Sequence, residues 1–327
     1  MQRRSFLFQS ASAAALAAAA LPRPVAAQDA KTIGVLIPGS IADKGYMESA
    51  YGGYKEAERA LAGKARLQLI ENINYADMEQ VFVQLASRNG FVVACSGASQ
   101  GAMLKAARRF PNVKFSLCGG AKLGADAPPN MAQFDARQAE IAYVVGAAAA
   151  LLSRSGTIAY VGGQEIPSIV NSGKEFANGA RLANPNVRVI QTLTGNFDDV
   201  AKAKEATLAA AGQGADVAFH ILNRGLQGFE QAAREKNLRI IGGVLPRCES
   251  DPIYAAWAKT NIGYILESTV QAYLAGKWTP GSSAYGLKAG PNASDLVLCG
   301  DAPAAVRTRL DQIKQDIVAG KIVTLEG

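Results

Sequence analysis

Histidine is almost absent: the 327 residues contain one, His220. A single imidazole cannot build a histidine-based metal site, and no carboxylate pair stands at ligand spacing beside it. His220 lies near the end of the apolar run Val217–Ile221, which reads as a buried strand. It is therefore read as a structural histidine with its hydrogen bonds satisfied, a place in a strand-end cleft being the alternative. No GxSxG elbow, Walker loop or HExxH motif occurs. Gly119-Gly120-x-x-x-Gly124 is a glycine cluster without the dinucleotide pattern. Nothing here points to an enzyme or to a cofactor, and an oxidoreductase reading would rest on fold analogy alone. Blocks of like charge are missing too, so a nucleic-acid partner is not expected. After the first thirty residues no stretch is long and apolar enough to span a bilayer; the alanine run from Ala147 to Leu152 is far too short.

The N-terminus carries the most specific local signal. Arg3 and Arg4 stand together before Ser5, Phe6 and Leu7, the twin-arginine pattern. An alanine-rich apolar stretch from Ala11 to Leu21 follows, with small residues at Val25 and Ala27. This order reads as an export signal cleaved after Ala27, giving a soluble protein in the periplasm. Removing residues 1–27 leaves 31 basic against 27 acidic residues, so the net charge drops from +7 to +4. The remaining chain, about 300 residues, exceeds the comfortable size of one core, and two domains are expected.

Short β-branched runs alternate with alanine-rich amphipathic stretches. Strands are expected at Thr32–Ile37, Leu67–Ile70, Phe91–Cys95 and Val113–Leu117, and again at Thr157–Val161, Val187–Gln191, Val217–Ile221 and Arg239–Ile241. Helical spacing is present in Met47–Leu61, Met78–Asn89, Gln100–Phe110, Gln138–Ser153, Val200–Gly212, Gly225–Asn237 and Ala304–Ala319. Repeated strand–helix alternation predicts parallel sheets covered on both faces. The pattern restarts after Leu152, so the fold class is α/β, two doubly wound parallel-sheet lobes joined by a three-segment hinge. The expected lobes are residues 28–132 with 261–287, and 133–260 with 288–327. Crossings are placed at Met131–Phe134, around Thr260–Ile262 and near Tyr285–Lys288. Ligands bind at the carboxyl ends of strands in such sheets, which puts the site between the lobes.

Several short motifs, in order, now resemble a known family. They are Gly34-Val-Leu-Ile-Pro-Gly-Ser-Ile-Ala-Asp43-Lys44-Gly45-Tyr46, Gly162-Gly163-x-x-Ile166-Pro167 and Phe176-x-x-Gly179-Ala180. Gly195-Asn196-Phe197-Asp198-Asp199, Asn223-x-Gly225-x-x-Gly228 and Val318-Ala319-Gly320-Lys321-Ile322 continue the series. Together they resemble the basic membrane protein (BMP) family of substrate-binding proteins, which includes purine nucleoside receptors of ABC importers. The resemblance implies the periplasmic binding protein type I fold, closing on its ligand like a hinge. It also implies that two rings sandwich a flat base, here Tyr46 and Phe197. Stacking on both faces gives a flat ligand a large apolar contact.

The departures from the family pattern are as informative. Met47 replaces the asparagine after the first aromatic, and the acidic residue of the first-lobe turn is replaced within Gly97-Ala98-Ser99-Gln100. The strand end that carries a ribose-binding aspartate in the family reads Gly243-Val244-Leu245-Pro246-Arg247, and the family lysine falls near Tyr264. The groups that would grip a ribose are largely missing. Arg247 is either a ligand contact, offering a planar fork to a carboxylate or ring carbonyl, or a surface arginine paired with Glu249 or Asp251. The ligand-binding set implied is Asp43, Tyr46, Met47, Gly97, Ser99, Gln100, Phe197, Asn223, Arg247 and Tyr264, with no metal. The expected function is capture of a purine-like base or other flat heterocycle for an ABC permease, by a monomer. The alternative is a ligand-sensing subunit for a membrane signalling receptor.

Four cysteines remain, Cys95, Cys118, Cys248 and Cys299. Cys95 and Cys118 end consecutive strands and could lie within the 5–6 Å between Cα atoms that a disulfide needs, unless their side chains point to opposite faces. Both that bond and one between Cys248 and Cys299 are left open.

Overall fold

A computed structural model describes residues 31–61, 63–249, 251–300 and 302–325. The export signal falls on residues 1–27 and so lies outside the described residues. The first sheet is built from β1 (Lys31–Ile37), β2 (Ala65–Glu71), β3 (Phe91–Ala94), β4 (Lys114–Cys118), β5 (Met131–Asp135) and β11 (Gly281–Ala284). The second contains β6 (Thr157–Gly162), β7 (Arg188–Leu193), β8 (Val217–Ile221), β9 (Arg239–Gly243), β10 (Tyr254–Thr260) and β12 (Ser294–Leu298). Strand order is β11-β5-β4-β3-β1-β2 in one and β12-β10-β9-β8-β6-β7 in the other. All pairs are parallel except β10 with β12, which run antiparallel at the edge of the second sheet. Both sheets therefore share the doubly wound order 2-1-3-4-5, whose direction of winding reverses between the first and third strands. That reversal opens a crevice at the carboxyl ends of β1 and β3 in one lobe, and of β6 and β8 in the other.

Helices cover both faces: α1 (Tyr46–Ala60), α2 (Met78–Ala86), α3 (Gln100–Arg109) and α8 (Ile262–Leu274) on the first sheet. Around the second lie α4 (Gln138–Leu152), α5 (Pro167–Ala183), α6 (Val200–Gly212), α7 (Leu226–Lys236) and α9 (Ala304–Val318). Local chemistry sets several of their ends. Asp199 caps α6 by accepting the Lys202 N–H at 3.0 Å, Pro167 opens α5 where no N–H is needed, and left-handed Asn237 closes α7. Helix α4 is apolar almost all round and packs closely on α5. A Cβ on Gly146 would sit 1.9 Å from the Phe176 carbonyl oxygen, and one on Gly179 would sit 1.8 Å from that of Tyr143. Glycine at both positions is what lets the two backbones touch. Beneath them Tyr160, Phe176 and Phe219 meet at ring separations of 5.8–6.0 Å.

The chain passes between the sheets three times. The first passage leaves β5 through Ala136 and Arg137, the latter left-handed at φ 52°. Met131–Phe134, read from sequence as a crossing, is instead part of β5, hydrogen-bonded between β4 and β11. Its short, largely buried run is that of a central parallel strand rather than a connector. The second passage is Asn261, whose side chain accepts the Tyr264 N–H at 2.9 Å and donates to the Asn292 carbonyl at 3.0 Å. The third follows β11 through Tyr285 and Gly286. Glu140 ties the first passage to the third: its carboxylate accepts the Leu287 N–H at 2.6 Å and lies 3.7 Å from the Arg137 guanidinium.

Cys248 and Cys299 form a disulfide that bridges 51 positions. It fastens the loop after β9 to the residue following edge strand β12. Cys95 and Cys118 are buried free thiols. They follow register partners Ala94 and Leu117 and share one core cluster, so they stand on the same face rather than opposite ones. Hydrogen bonding with Cys95 and burial hold the Cys118 thiol well above its ordinary value, which keeps it protonated.

Candidate functional site

A cavity of about 680 Å³ lies between the two lobes, lined by the turns that follow β1, β3, β4 and β5 on one side and β6, β7, β8 and β9 on the other. This volume falls in the range of small-molecule sites. The position is the one that the strand order dictates.

Asp43 begins the site without facing it. It is buried, and its carboxylate accepts the N–H groups of Gly45, Met47 and Glu48 at 2.8–3.1 Å. Burial raises its pKa despite those three donors. Asp43 is thus the brace of the β1–α1 turn rather than a cavity residue. That turn places Tyr46 as the first residue of α1, with its ring in the cavity wall and its hydroxyl donating to the Cys118 carbonyl at 3.1 Å. Burial holds the phenol well above its usual pKa, so it stays a neutral donor. Met47 reaches the cavity from within the core, its Cγ 2.9 Å from where a Gly39 Cβ would stand. Phe197 lines the opposite side, on the second lobe. It lies over Gly163 so closely that a Cβ there would come within 2.1 Å of its ring. Thus Tyr46 and Phe197, expected to act together, face one cavity from opposite lobes.

Four other expected residues take different places. Gln100 is in the wall, but both ends of its amide are engaged by Ala121: Nε2 donates to the carbonyl at 2.7 Å, and Oε1 accepts the N–H at 2.9 Å. It holds the β4 turn. Ser99 is completely buried and does not line the cavity. Tyr264 lies on α8 at the second passage, edge-on to Tyr285 at 6.1 Å and away from the cavity. Arg247 is outside the lining set, and its guanidinium donates to the Lys44 carbonyl at 3.1 Å, from one lobe to the other. Gly97 and Asn223 do line the cavity. A Cβ on Gly97 would meet the Gly120 nitrogen at 2.8 Å, so only glycine lets the β3 and β4 turns approach. Asn223 marks a lobe-to-lobe contact, since a Cβ on Gly45 would meet its Oδ1 at 2.7 Å.

His220 takes the alternative place read for it, in the cleft, rather than that of a structural histidine with satisfied hydrogen bonds. It lines the cavity at the end of β8, 2% exposed, and neither ring nitrogen has a hydrogen-bond partner among the described residues. Its ring packs on Phe229 at 4.9 Å. Burial, and secondarily the Arg247 charge, pull its pKa down to about 3, so the imidazole is neutral. Asp135, Asn196, Val244 and Thr260 are further wall residues absent from the sequence-derived set. Each follows or ends a strand, the one signal that could have found them. Val244 is left-handed at φ 59°, a rare conformation for a β-branched residue and one that clusters at functional sites.

Comparisons with known proteins agree with this geometry. Residues 30–291 match the model of the Bmp family, described as ABC transporter substrate-binding protein PnrA-like. The chain belongs to the Bmp family. Among curated relatives, the purine-binding protein BAB2_0673 of Brucella abortus (strain 2308) is 29% identical over 63% of this chain and 61% of its own length. The match thus spans about three fifths of that relative. Two solved structures share the fold. The ABC transporter system solute-binding protein from Conexibacter woesei aligns at TM-score 0.72 and 24% identity, covering 90% of this chain and 99% of that one. That from Aeropyrum pernix K1 aligns at 0.78 and 19%, covering 91% and 94%. The fold of this Bmp-family chain is that of the type I periplasmic solute-binding proteins.

Proposed function

We propose that this Bmp-family protein captures a purine-like base or similar flat heterocycle and delivers it to an ABC permease in the inner membrane. The observation that carries the reading is the pair of rings, Tyr46 and Phe197, on opposite walls of one interlobe cavity. A flat ligand between them gains apolar contact on both faces at little ordering cost. Contacts with both lobes favour the closed arrangement, in which Arg247 donates to the Lys44 carbonyl. The three passages at Ala136–Arg137, Asn261 and Tyr285–Gly286 act as the hinge. The purine-binding relative from Brucella abortus supports the ligand class. The twin-arginine pattern at Arg3 and Arg4 supports export to the periplasm, where such a protein works without a cofactor and without catalysis.

The strand end at Gly243 and Val244 presents no acidic group to a sugar, and Tyr264 stands away from the cavity. A ribose would have to give up its hydration there with little return. A free base should therefore bind at least as tightly as its nucleoside. Tyr46→Ala should weaken base binding by about 1–3 kcal/mol, the range for loss of an aromatic ring stacked on a base. Titration calorimetry with adenine, hypoxanthine and guanine, each against its nucleoside, checks both statements. Nucleosides binding tenfold tighter than bases, or Tyr46→Ala with unchanged affinity, would refute the reading.

A further inference from the structure

The cavity opens on the side away from the three passages. Those passages leave β5, β10 and β11, toward one end of the two sheets, whereas β2 is the opposite edge of the first sheet and β6 and β7 finish the second. At this far end the wall comes from the turns after β2 and β6: Tyr75 from one lobe, and Gln164, Ile166 and Pro167 from the other. Tyr75 is 58% exposed and Ile166 40%. A side chain that lines a cavity and is still this open to solvent stands at its mouth. Seven large apolar residues are exposed among the described residues, and only these two of the seven line the cavity. Single exposed apolar side chains are ordinary. Two at one cleft, one from each lobe and with Pro167 beside them, form a rim of the kind that marks a ligand-binding groove. Size points the same way. A water's share of the liquid is about 30 Å³, so about 680 Å³ is room for roughly twenty water-sized groups. A free purine base has about half as many non-hydrogen atoms, all in one plane. Stacked between Tyr46 and Phe197, it leaves space that continues to the mouth.

Resting on the proposed function, we infer that the site takes a flat heterocycle carrying an apolar or aromatic substituent. The ring lies between Tyr46 and Phe197, and the substituent lies in a second subsite at the mouth, against Tyr75, Ile166 and Pro167. The gain comes from water leaving both surfaces: the exposed side chains and the apolar group cover one another. A tyrosine suits such a place, because it offers a large amphipathic face and loses little rotamer freedom when it is covered. A sugar in the same space does not have this effect, since its hydroxyls keep water on the apolar rim or lose their own hydration. The subsite therefore selects among flat ligands by what they carry, while the two rings select for flatness. Because one lip belongs to each lobe, the substituent also adds contacts that exist only when the lobes are together.

The test is titration calorimetry on the full chain at neutral pH with adenine, N6-benzyladenine, 9-benzyladenine and adenosine. The better of the two benzyl compounds should bind at least tenfold tighter than adenine and than adenosine. Tenfold is about 1.4 kcal/mol, the return on covering about 60 Å² of apolar surface, less than one phenyl ring can hide. An apolar group raises affinity for many proteins, so the ratio of benzyl compound to adenine is also measured in variants. Tyr75→Ser with Ile166→Ser should shrink it at least threefold. Both side chains are exposed, and position 166 is the N-cap of α5, where serine is favoured, so the double variant should fold. If it does not, Tyr75→Ser alone should shrink the ratio at least twofold. Leu182→Ser, an exposed apolar position off the cavity, should leave the ratio unchanged. Benzyl compounds binding no tighter than adenine overturn the inference and leave the base reading standing. A tenfold gain that survives in the folded mouth variant, or adenosine binding as tightly as the better benzyl compound, overturns it too. If none of the four binds and no other flat heterocycle does, the proposed function fails and this inference fails with it.

Discussion

Lowering the pH from 7 to 4 should cost this protein about 3 kcal/mol of stability through His220 alone. The ring is buried, neither nitrogen has a hydrogen-bond partner among the described residues, and its pKa in the fold is about 3. An unfolded histidine titrates near 6.5. Between those values the unfolded chain binds a proton that the folded chain does not, so stability rises with pH across this window. The contribution is fully present above the unfolded value, declines as pH falls through it, and is exhausted near pH 3. Burial is the principal cause: an imidazolium here would lose its hydration without gaining an acceptor, and Arg247 adds like-charge repulsion. Carboxylates whose pKa is lowered in the fold, such as Asp216 and Asp251, also destabilise the protein in acid. The comparison with His220→Phe therefore isolates the histidine, since Phe fits the neighbouring Phe219 and Phe229 rings and cannot titrate. Urea unfolding of both proteins at pH 7 and pH 4 should show the wild type losing about 3 kcal/mol more than the variant. Equal losses would mean that water or a ligand partner already satisfies the ring.

The lobes were legible in the sequence for a physical reason. A parallel strand covered on both faces is a short continuous apolar run, and eight such runs matched observed strands to within a few residues. Strands lacking that signature did not stand out. β10 is rich in alanine, β11 is Gly-Ser-Ser-Ala and exposed, and β12 starts with Ser-Asp. Helix α5 was obscured by its serine, asparagine and glycine content, although two of those glycines are buried and one makes the close contact with α4.

The site divides the same way. Tyr46 and Phe197 were placed by the family resemblance, and the structure sets each after a strand of its own lobe, on one cavity. What Gln100, Arg247 and Tyr264 do could not be read, because it depends on partners elsewhere in the chain. Gln100 is engaged by Ala121 twenty-one positions away, and Arg247 by Lys44 at a separation of 203. Tyr264 is drawn to Tyr285 by the meeting of two passages. A long polar side chain near a binding site can hold the backbone instead of the ligand, and its sequence neighbours do not reveal which. The opposite error occurred at His220, where a satisfied hydrogen bond was assumed and none is found among the described residues.

Breaking the Cys248–Cys299 bond should lower stability by about 4 kcal/mol, the loop-entropy value for a closure of this length. The bond joins positions 51 apart and encloses β10, helix α8, β11 and β12. Two of the three passages between the lobes, at Asn261 and at Tyr285–Gly286, lie within that loop. Reduction thus frees in the unfolded chain the very segment that crosses between lobes twice. In the folded protein it also releases the loop after β9, which carries the left-handed Val244 of the cavity wall and the Arg247 contact to Lys44. The second consequence separates this bond from a simple staple. Cys248→Ser with Cys299→Ser should unfold at lower denaturant concentration, and it should also bind a purine base more weakly because the wall at Val244 is no longer held. Cys95 and Cys118, already thiols, should contribute nothing when both are changed to alanine beyond the cost of the lost packing. Urea unfolding with and without reductant, paired with calorimetry on the double-serine variant, measures both effects. A stability change under 1 kcal/mol would mean that the unfolded chain keeps the two cysteines close without the bond. An unchanged affinity would show that β9, β10 and the Val244 N–H bond to the Ala258 carbonyl hold the wall by themselves.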